Sequence, residues 1–463
     1  MEDQVVVYRK RRGTEAVLML FSVLICVAAY ILIHLDMDNE IPQQWPWALG
    51  IGLGLAVIVH VIVRVRLPYA DPLILPLVFL LNGLGVAMIH RLDLGTNPVM
   101  HSAELQLVWT GIAVAVFVLV LVFLPDYEVL NRFPYLLFLL GMFLLLMPML
   151  PGIGQEKFGA RIWIGVTIGG STYSFQPAEL AKIVLVIAFA AYLVEKKDVL
   201  AAAGTKVLGI EIPRVRDLGP ILLMWLASLA VLVFQKDLGT SLLFFGLFVM
   251  MLYVATGQAG YPILGVFLFA GGAYAGYLFF GHVQARVDAW LNPFKDFDTN
   301  YQVIVGQFGM AYGGATGTGW GLGRPNMTPL AKTDFIVAAF GEELGVAGLA
   351  AIILIYAILV ARGLRAALGI QEPFGKLLAA GLSFVFAIQV FTIIGGVTRL
   401  LPLTGLTTPF LSQGGSSLVA NWAMTAILLV VTHYARRPMQ VRSRQRVRSL
   451  AMDETQQIPR AAL

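Results

Sequence analysis

Cysteine is almost missing from this chain: Cys26 is the only one among 463 residues. That excludes an intrachain disulfide framework and the small secreted scaffolds that depend on one. Charge is scarce as well, at 13% Asp, Glu, Lys and Arg against 58% hydrophobic residues, with mean hydropathy +0.81. A soluble domain of this length cannot hide so much apolar surface, so the composition specifies a polytopic membrane protein. The six histidines (34, 60, 90, 101, 282 and 433) have no ligand spacing, which leaves no zinc site to argue for. Internal repeats are not evident either, nor the inverted halves that many transporters carry.

What is present is a series of long apolar runs. They predict an all-α bundle of twelve spanning segments, at about 15–35, 46–63, 72–90, 106–124, 133–150, 176–194, 218–234, 238–255, 261–280, 335–361, 375–396 and 417–435. The first follows a basic cluster as a signal peptide would, but it lacks a convincing small-residue cleavage site and reads as a retained helix. Only Gln235-Lys236-Asp237 separates segments seven and eight, a tight helical hairpin. Twelve spans put both termini on one side, and the loops and tails of that side hold 22 of the 32 Lys and Arg residues. These are Arg9-Lys10-Arg11-Arg12, Arg64, Arg66, Arg132, five between 195 and 217, Arg362, Arg365, Lys376 and seven from Arg436 onward. The opposite loops hold nine, and Lys182 lies within a segment. Positive-inside bias then predicts that both termini are cytoplasmic. The expected layout is a basic N-terminus (1–14), a two-helix extension (15–66), a core (71–437) and a basic tail (438–463).

With that orientation, the unusual polar residues gather on the external face: Gln176 and Glu179, Asp237, Arg286, Gln302, Asp334, and the run Ser412-Gln413-Gly414-Gly415-Ser416-Ser417. The longest loop, 281–334, is external too, and long ordered loops usually carry function. A polar cleft on a side without a nucleotide supply suits a substrate that arrives already activated in the membrane, such as a lipid-linked intermediate.

The most telling stretch runs from Lys332 to Gly345. Acids in a hydrophobic segment are costly, so Asp334, Glu342 and Glu343 are functional candidates. Read as a helix, Asp334, Ala338, Gly341, Gly345 and Gly348 form one stripe whose small residues let a neighbouring helix approach. Asp334 also reads as a simple helix N-cap, and both readings stand. Segment six opens with Phe175-Gln176-Pro177-Ala178-Glu179-Leu180-Ala181-Lys182, and Glu179 and Lys182 can pair three apart, either as a structural ion pair or as part of a site. Asp237 reads as the cap of segment eight. The glycine-rich run 313–323 has no preceding strand and no P-loop lysine, so a nucleotide fingerprint is excluded, and it is expected to let an external loop lie close to the membrane. Ser412–Ser417 precedes segment twelve, either as a plain turn or as an anion site at a helix N-terminus.

Taken together, these motifs resemble the SEDS family (shape, elongation, division and sporulation), the RodA/FtsW peptidoglycan polymerases. The carrying residues occur in the family's order. They are Phe175–Glu179 with Lys182, then Lys236-Asp237-Leu238-Gly239-Thr240, then Arg286-Val287 followed by Asn292-Pro293-Phe294 and Tyr301-Gln302. Thr333-Asp334-Phe335 with Gly341–Gly345 comes next, and Pro402-Leu403-Thr404-Gly405 with Pro409-Phe410 and Ser412–Ser417 closes the series. The resemblance implies a ten-helix core, here segments three to twelve, and the length and short basic tail are most similar to the actinobacterial RodA branch. Departures from the usual pattern are Lys332 for His, Ala178 for Ser, Lys236 for Pro, Gln413 for Tyr, and Ile162 where an arginine is common.

The resemblance implies glycosyl transfer outside the cytoplasmic membrane of a bacterium. The 4-hydroxyl of an acceptor lipid II attacks C1 of the donor chain, polyprenyl pyrophosphate leaves, and the linkage inverts. Asp334 takes the role of general base. Glu179, Lys182, Asp237, Arg286, Gln302, Lys332, Thr333, Ser416 and Ser417 are the implied substrate contacts. Arg286 or a divalent cation (Mg or Mn) would offset pyrophosphate charge, and a class B penicillin-binding protein would supply transpeptidation. No nucleic-acid partner is implied. A lipid II flippase and a proton-coupled transporter using Glu342, Glu343 and Lys182 are the rival readings.

Overall fold

The computed structural model describes residues 10–438 except 97–99, 158–159, 169–170, 203, 208–209, 214–225, 228 and 231–232. The helices, in chain order, are α1 (Arg12–Asp38), α2 (Trp45–Arg66), α3 (Ile74–Leu94), α4 (Ser102–Phe123), α5 (Pro134–Leu146), α6 (Pro177–Ala202) and α7 (Leu238–Thr256). They continue with α8 (Gly260–Phe279), α9 (Gly281–Leu291), α10 (Phe297–Gly313), α11 (Ile336–Gly369), α12 (Pro373–Val397) and α13 (Gly415–Arg436). Among the described residues, ten of these are long and apolar enough to cross a membrane. They match ten of the twelve predicted segments. The fifth is a shorter apolar helix within Pro134–Met149, and the seventh, 218–234, lies largely outside the described residues. The protein is a polytopic helical membrane protein.

Local chemistry sets the helix starts. Pro134 and Pro373 sit in the first turns of α5 and α12, where a missing N–H costs nothing. Glu372 caps α12 by accepting from Phe374 N (2.8 Å) and Gly375 N (2.6 Å). Asp237 caps α7 as its sequence position predicts, accepting from Thr240 N at 3.0 Å and Thr240 Oγ1 at 2.7 Å. Such a cap contributes about 1 kcal/mol.

Helices α3, α6, α12 and α13 are the most buried, and α1, α2 and α8 form the periphery. Asp71, just before α3, accepts from Arg362 Nε of α11 (2.8 Å) and from Arg436 Nη1 of α13 (3.1 Å). Arg12, at the start of α1, donates to the neighbouring Ala70 carbonyl and pairs with Glu15. The first and last described helices therefore end on one face of the bundle. Twenty-one residues of α3 span roughly 30 Å, and its far end carries Asp93, bonded to Lys332. The polar residues of interest lie at that opposite face.

Four features depart from the sequence reading. Residues ahead of α6 form an antiparallel sheet of β1 (Gly154–Lys157), β2 (Ala160–Ile168) and β3 (Ser171–Phe175), with Ile164 opposite Phe175. A hairpin of β4 (Gly204–Val207) and β5 (Ile210–Pro213) follows α6. Loop 281–334 folds into α9, α10 and a glycine-rich coil. Finally, α11 is not one continuous stripe: Asp334 lies ahead of the helix, and Gly345 breaks it with φ 67 and ψ −169.

The glycine-rich coil fills that break. Thr318 N donates to Glu342 O (3.0 Å) and Gly319 N to Glu343 O (2.9 Å), while Val346 N and Ala347 N donate to Gly314 O and Ala315 O, both at 3.0 Å. A Cβ on Gly345 would meet the backbone of Gly317 and Ala315, so only glycine fits. The coil is packed into the protein, not laid on the membrane surface.

Candidate active site

Glu342 and Glu343 act inside this coil. Glu343 pairs with the buried Arg91 (2.7 Å) and accepts from Gly321 N (3.2 Å), and Glu342 accepts from Arg324 N (2.5 Å). Arg91 also donates to the Gly323 carbonyl at 2.8 Å. The acids anchor the coil through these hydrogen bonds.

The turn before α11 presents Asp334. Leu330, in the left-handed region at φ 55, bends the chain, and Thr333 N and Phe335 N return to the Leu330 carbonyl. Phe335 occupies the cap position of α11 with no side-chain cap bond. Asp334 is therefore not the helix cap. It is half-buried and faces the loop between α12 and α13, where a Cβ on Gly405 (φ 75) would lie 3.7 Å from Asp334 Oδ2 and 3.9 Å from Arg286 Nη2 of α9. Arg286 Nη1 donates to the carbonyls of Leu403 (3.2 Å) and Thr404 (3.0 Å), which leaves Nη2 toward Gly405.

Burial pushes the Asp334 carboxyl up to about 7; Asp237 adds to the rise, whereas Arg286 and the Thr333 hydroxyl oppose it. Burial likewise raises Asp237, against the bonds from Thr240 and the charge of Arg286. Burial lowers Arg286, and Asp237 and Asp334 hold its charge in place. Two carboxylates thus share one arginine. Gln176 Nε2 reaches Asp237 at 3.5 Å.

One layer deeper, Lys182 pairs with Glu179 at 2.6 Å and donates to Gln389 Oε1 at 3.0 Å. Gln389 Nε2 donates to Thr407 O (2.9 Å), Thr407 Oγ1 meets Ser417 Oγ (3.0 Å), and Asn421 Nδ2 donates to Ser417 Oγ (3.2 Å). The pair therefore supports the loop that carries Gly405. Gln389, Thr407 and Asn421 escaped the sequence reading; each is a polar residue in or beside an apolar helix, the signal by which Lys182 was found.

Other candidates sit apart. Lys332 Nζ points to Asp93 (2.5 Å) and Ser102 (3.2 Å), and Gln302 donates to Pro329 O (3.1 Å). The N–H groups of Ser412, Gln413 and Gly414 are spent on Thr408 O, Lys332 O and Gln106 Oε1, so Ser412–Gly414 is a turn and no anion cradle. Ser412 Oγ donates to Thr333 O at 2.6 Å, fastening this turn to the one that carries Asp334. Ser416 is half-buried at the start of α13. Among the described residues, no three His, Cys, Asp or Glu side chains converge to hold a metal ion.

A bundle of apolar spanning helices with two carboxyls and an arginine gathered in a cleft at one face defines an integral membrane protein with a polar surface site. The chain belongs to the FtsW/RodA/SpoVE family of cell cycle proteins, whose family model matches residues 72–437. It is 47% identical over 440 residues to the peptidoglycan glycosyltransferase RodA of Mycobacterium tuberculosis, covering 94% of this chain and 93% of that one. It is 32% identical over 377 residues to the stage V sporulation protein E of Bacillus subtilis, covering 79% and 98% of the two chains. The fold matches a crystal structure of the Thermus thermophilus rod shape determining protein RodA with a TM-score of 0.54 and 25% identity, over 80% of this chain and 98% of that one.

Proposed function

We propose that this chain is a peptidoglycan glycosyltransferase that polymerises lipid II into glycan strands for cell elongation. The observation that carries the reading is 47% identity over 94% of this chain to a RodA glycosyltransferase; within it, burial raises the Asp334 carboxyl near Arg286. A general base works best with a pKa near the operating pH. Asp334 takes the proton of the acceptor's 4-hydroxyl as its oxygen attacks C1 of the donor sugar. The C1–pyrophosphate bond breaks and inverts the linkage, and the electron pair leaves on polyprenyl pyrophosphate. Arg286, with Nη2 turned toward the same space, offsets the charge of the leaving group. Asp237, Glu179 and Lys182 hold the walls of the cleft with Ser417 supporting them from behind, while Gln302, Lys332, Thr333 and Ser416 line its approaches. A divalent cation, Mg or Mn, would reach the site with the pyrophosphate, since among the described residues no three His, Cys, Asp or Glu side chains converge to hold one.

The site faces outward from the bacterial cytoplasmic membrane, with both termini in the cytoplasm. Helices α1 and α2 form an N-terminal extension of a core that spans 71–437. A class B penicillin-binding protein is the partner that crosslinks the product. The test is a polymerisation assay with the purified full-length protein, lipid II and the candidate partner. Glycan strands are expected. Absence of polymer, together with transfer of fluorescent lipid II between the leaflets of a vesicle, would favour a flippase instead.

A further inference from the structure

A cavity of about 280 Å³ lies among α1, α2, α3 and α4, closed on one side by Trp422 of α13. None of the Asp334 cleft residues lines it. Gln44 and helix α2 from Trp47 to Leu55 contribute one wall and α4 from Ala103 to Thr110 another, in each case the half nearer the Asp334 face. The cavity therefore runs from the membrane interface to about mid-depth of a hydrocarbon core roughly 30 Å thick. Trp47, 75% exposed, stands at its rim, the level where interfacial aromatics collect.

The wall asks for hydrocarbon. Its polar groups are already hydrogen-bonded: Trp422 Nε1 donates to Asn82 Oδ1 (3.0 Å), Asn82 Nδ2 to Thr110 Oγ1 (3.1 Å), Thr110 Oγ1 to Gln106 O (2.8 Å), and His90 Nε2 meets His34 Nε2 (3.0 Å). Cavities with apolar walls stay dry, and one of about 150 Å³ already binds benzene. The rim carries Gln44 and Glu104, the wall includes His90, and among the described residues no lysine or arginine lines the cavity. Among the described residues, Glu104 pairs with the exposed His101 at 3.0 Å. A phosphate or pyrophosphate head without a compensating cation would meet an acid there, at close range in a medium of low dielectric.

We propose that this cavity takes one acyl chain of a neutral or zwitterionic bilayer lipid, with its head beside Gln44 and Glu104. It is a lipid site separate from the cleft for the anionic, lipid-linked substrate, and it depends on the packing of α1–α4 and not on the role of Asp334.

The full-length protein in nanodiscs, doped with phosphatidylethanolamine bearing a diazirine in its acyl chain, provides the test by irradiation and peptide mapping. Adducts are expected on the cavity-wall segments of α1–α4. They should fall about tenfold in Val86→Trp and in Ala48→Phe, which fill the space from opposite walls, while labelling of the outer surface of α8 stays constant. An anionic phosphatidylglycerol probe with the same chain should label the wall less, a comparison that needs no variant. Even labelling of all lipid-facing helices, adducts undiminished in the folded filled variants, or stronger labelling by the anionic probe or by a diazirine-bearing polyprenyl phosphate would overturn the proposal.

Discussion

Asp334 is where a single side chain decides most. Asp334→Asn keeps the shape of the turn, and α11 starts from Phe335 without using the carboxyl as a cap. Insertion and folding should be normal, with polymerisation reduced about 10²–10⁴-fold, the usual contribution of a general base. Wild-type polymer yield from that variant would remove Asp334 from the mechanism. The base must be ionised to act, so with the carboxyl raised to about 7, kcat/KM should climb with pH through neutrality and level off above it. Arg286 favours the ionised form. In Arg286→Gln the acid limb should therefore move to higher pH, alongside any loss of overall rate; an unmoved limb would deny the arginine its electrostatic role. Asp334, Arg286 and Asp237 were legible because acids and a lone arginine at membrane boundaries are costly enough to stand out. Gly405 beside them was not, since a glycine in a loop carries no local sign of what it adjoins.

Two elements hold the site in shape. Lys182 and Glu179 are both buried, so Lys182→Met leaves an unpaired acid and should cost about 3–5 kcal/mol of stability. Adding Glu179→Gln should restore most of the folding. Activity that returns with it would make the pair a packing device only; continued inactivity in a folded protein would tie it to the loop that carries Gly405. In α11, Gly345→Ala places a Cβ at positive φ against the backbone of Gly317 and Ala315. The strain alone is worth about 1–3 kcal/mol, and a lower melting temperature with faster hydrogen exchange at 314–323 is expected. Unchanged exchange there would mean the coil does not depend on the break. The break was illegible because glycines in an apolar run suit close helix packing equally well. The partner of Lys332 was illegible for a simpler reason: Asp93 lies 239 residues away.

At the scale of the molecule, the spans were readable from hydropathy because a bilayer demands about 20 apolar residues in a row. The strands between α5 and α6 were not, because short pairings outside the membrane leave no such footprint. The arrangement of helix ends places Thr316 on the Asp334 face and Gln371 on the Asp71 face, both exposed. In a Cys26→Ser background, Thr316→Cys should react with an impermeant thiol reagent applied to intact cells, and Gln371→Cys should react only after lysis. The reverse pattern would invert the proposed orientation.

The three-way contact at Asp71 has a consequence for biosynthesis. Asp71 is made early, but Arg362 follows 291 residues later and Arg436 365 residues later. At about 5–20 residues per second, the last partner emerges roughly 20–70 s after the acid. Throughout that interval the nascent chain holds an incompletely neutralised carboxylate at the membrane boundary, open to whatever monitors unfinished proteins. A chain that stops short of α13 would leave Asp71 without Arg436, the later of its two arginine partners.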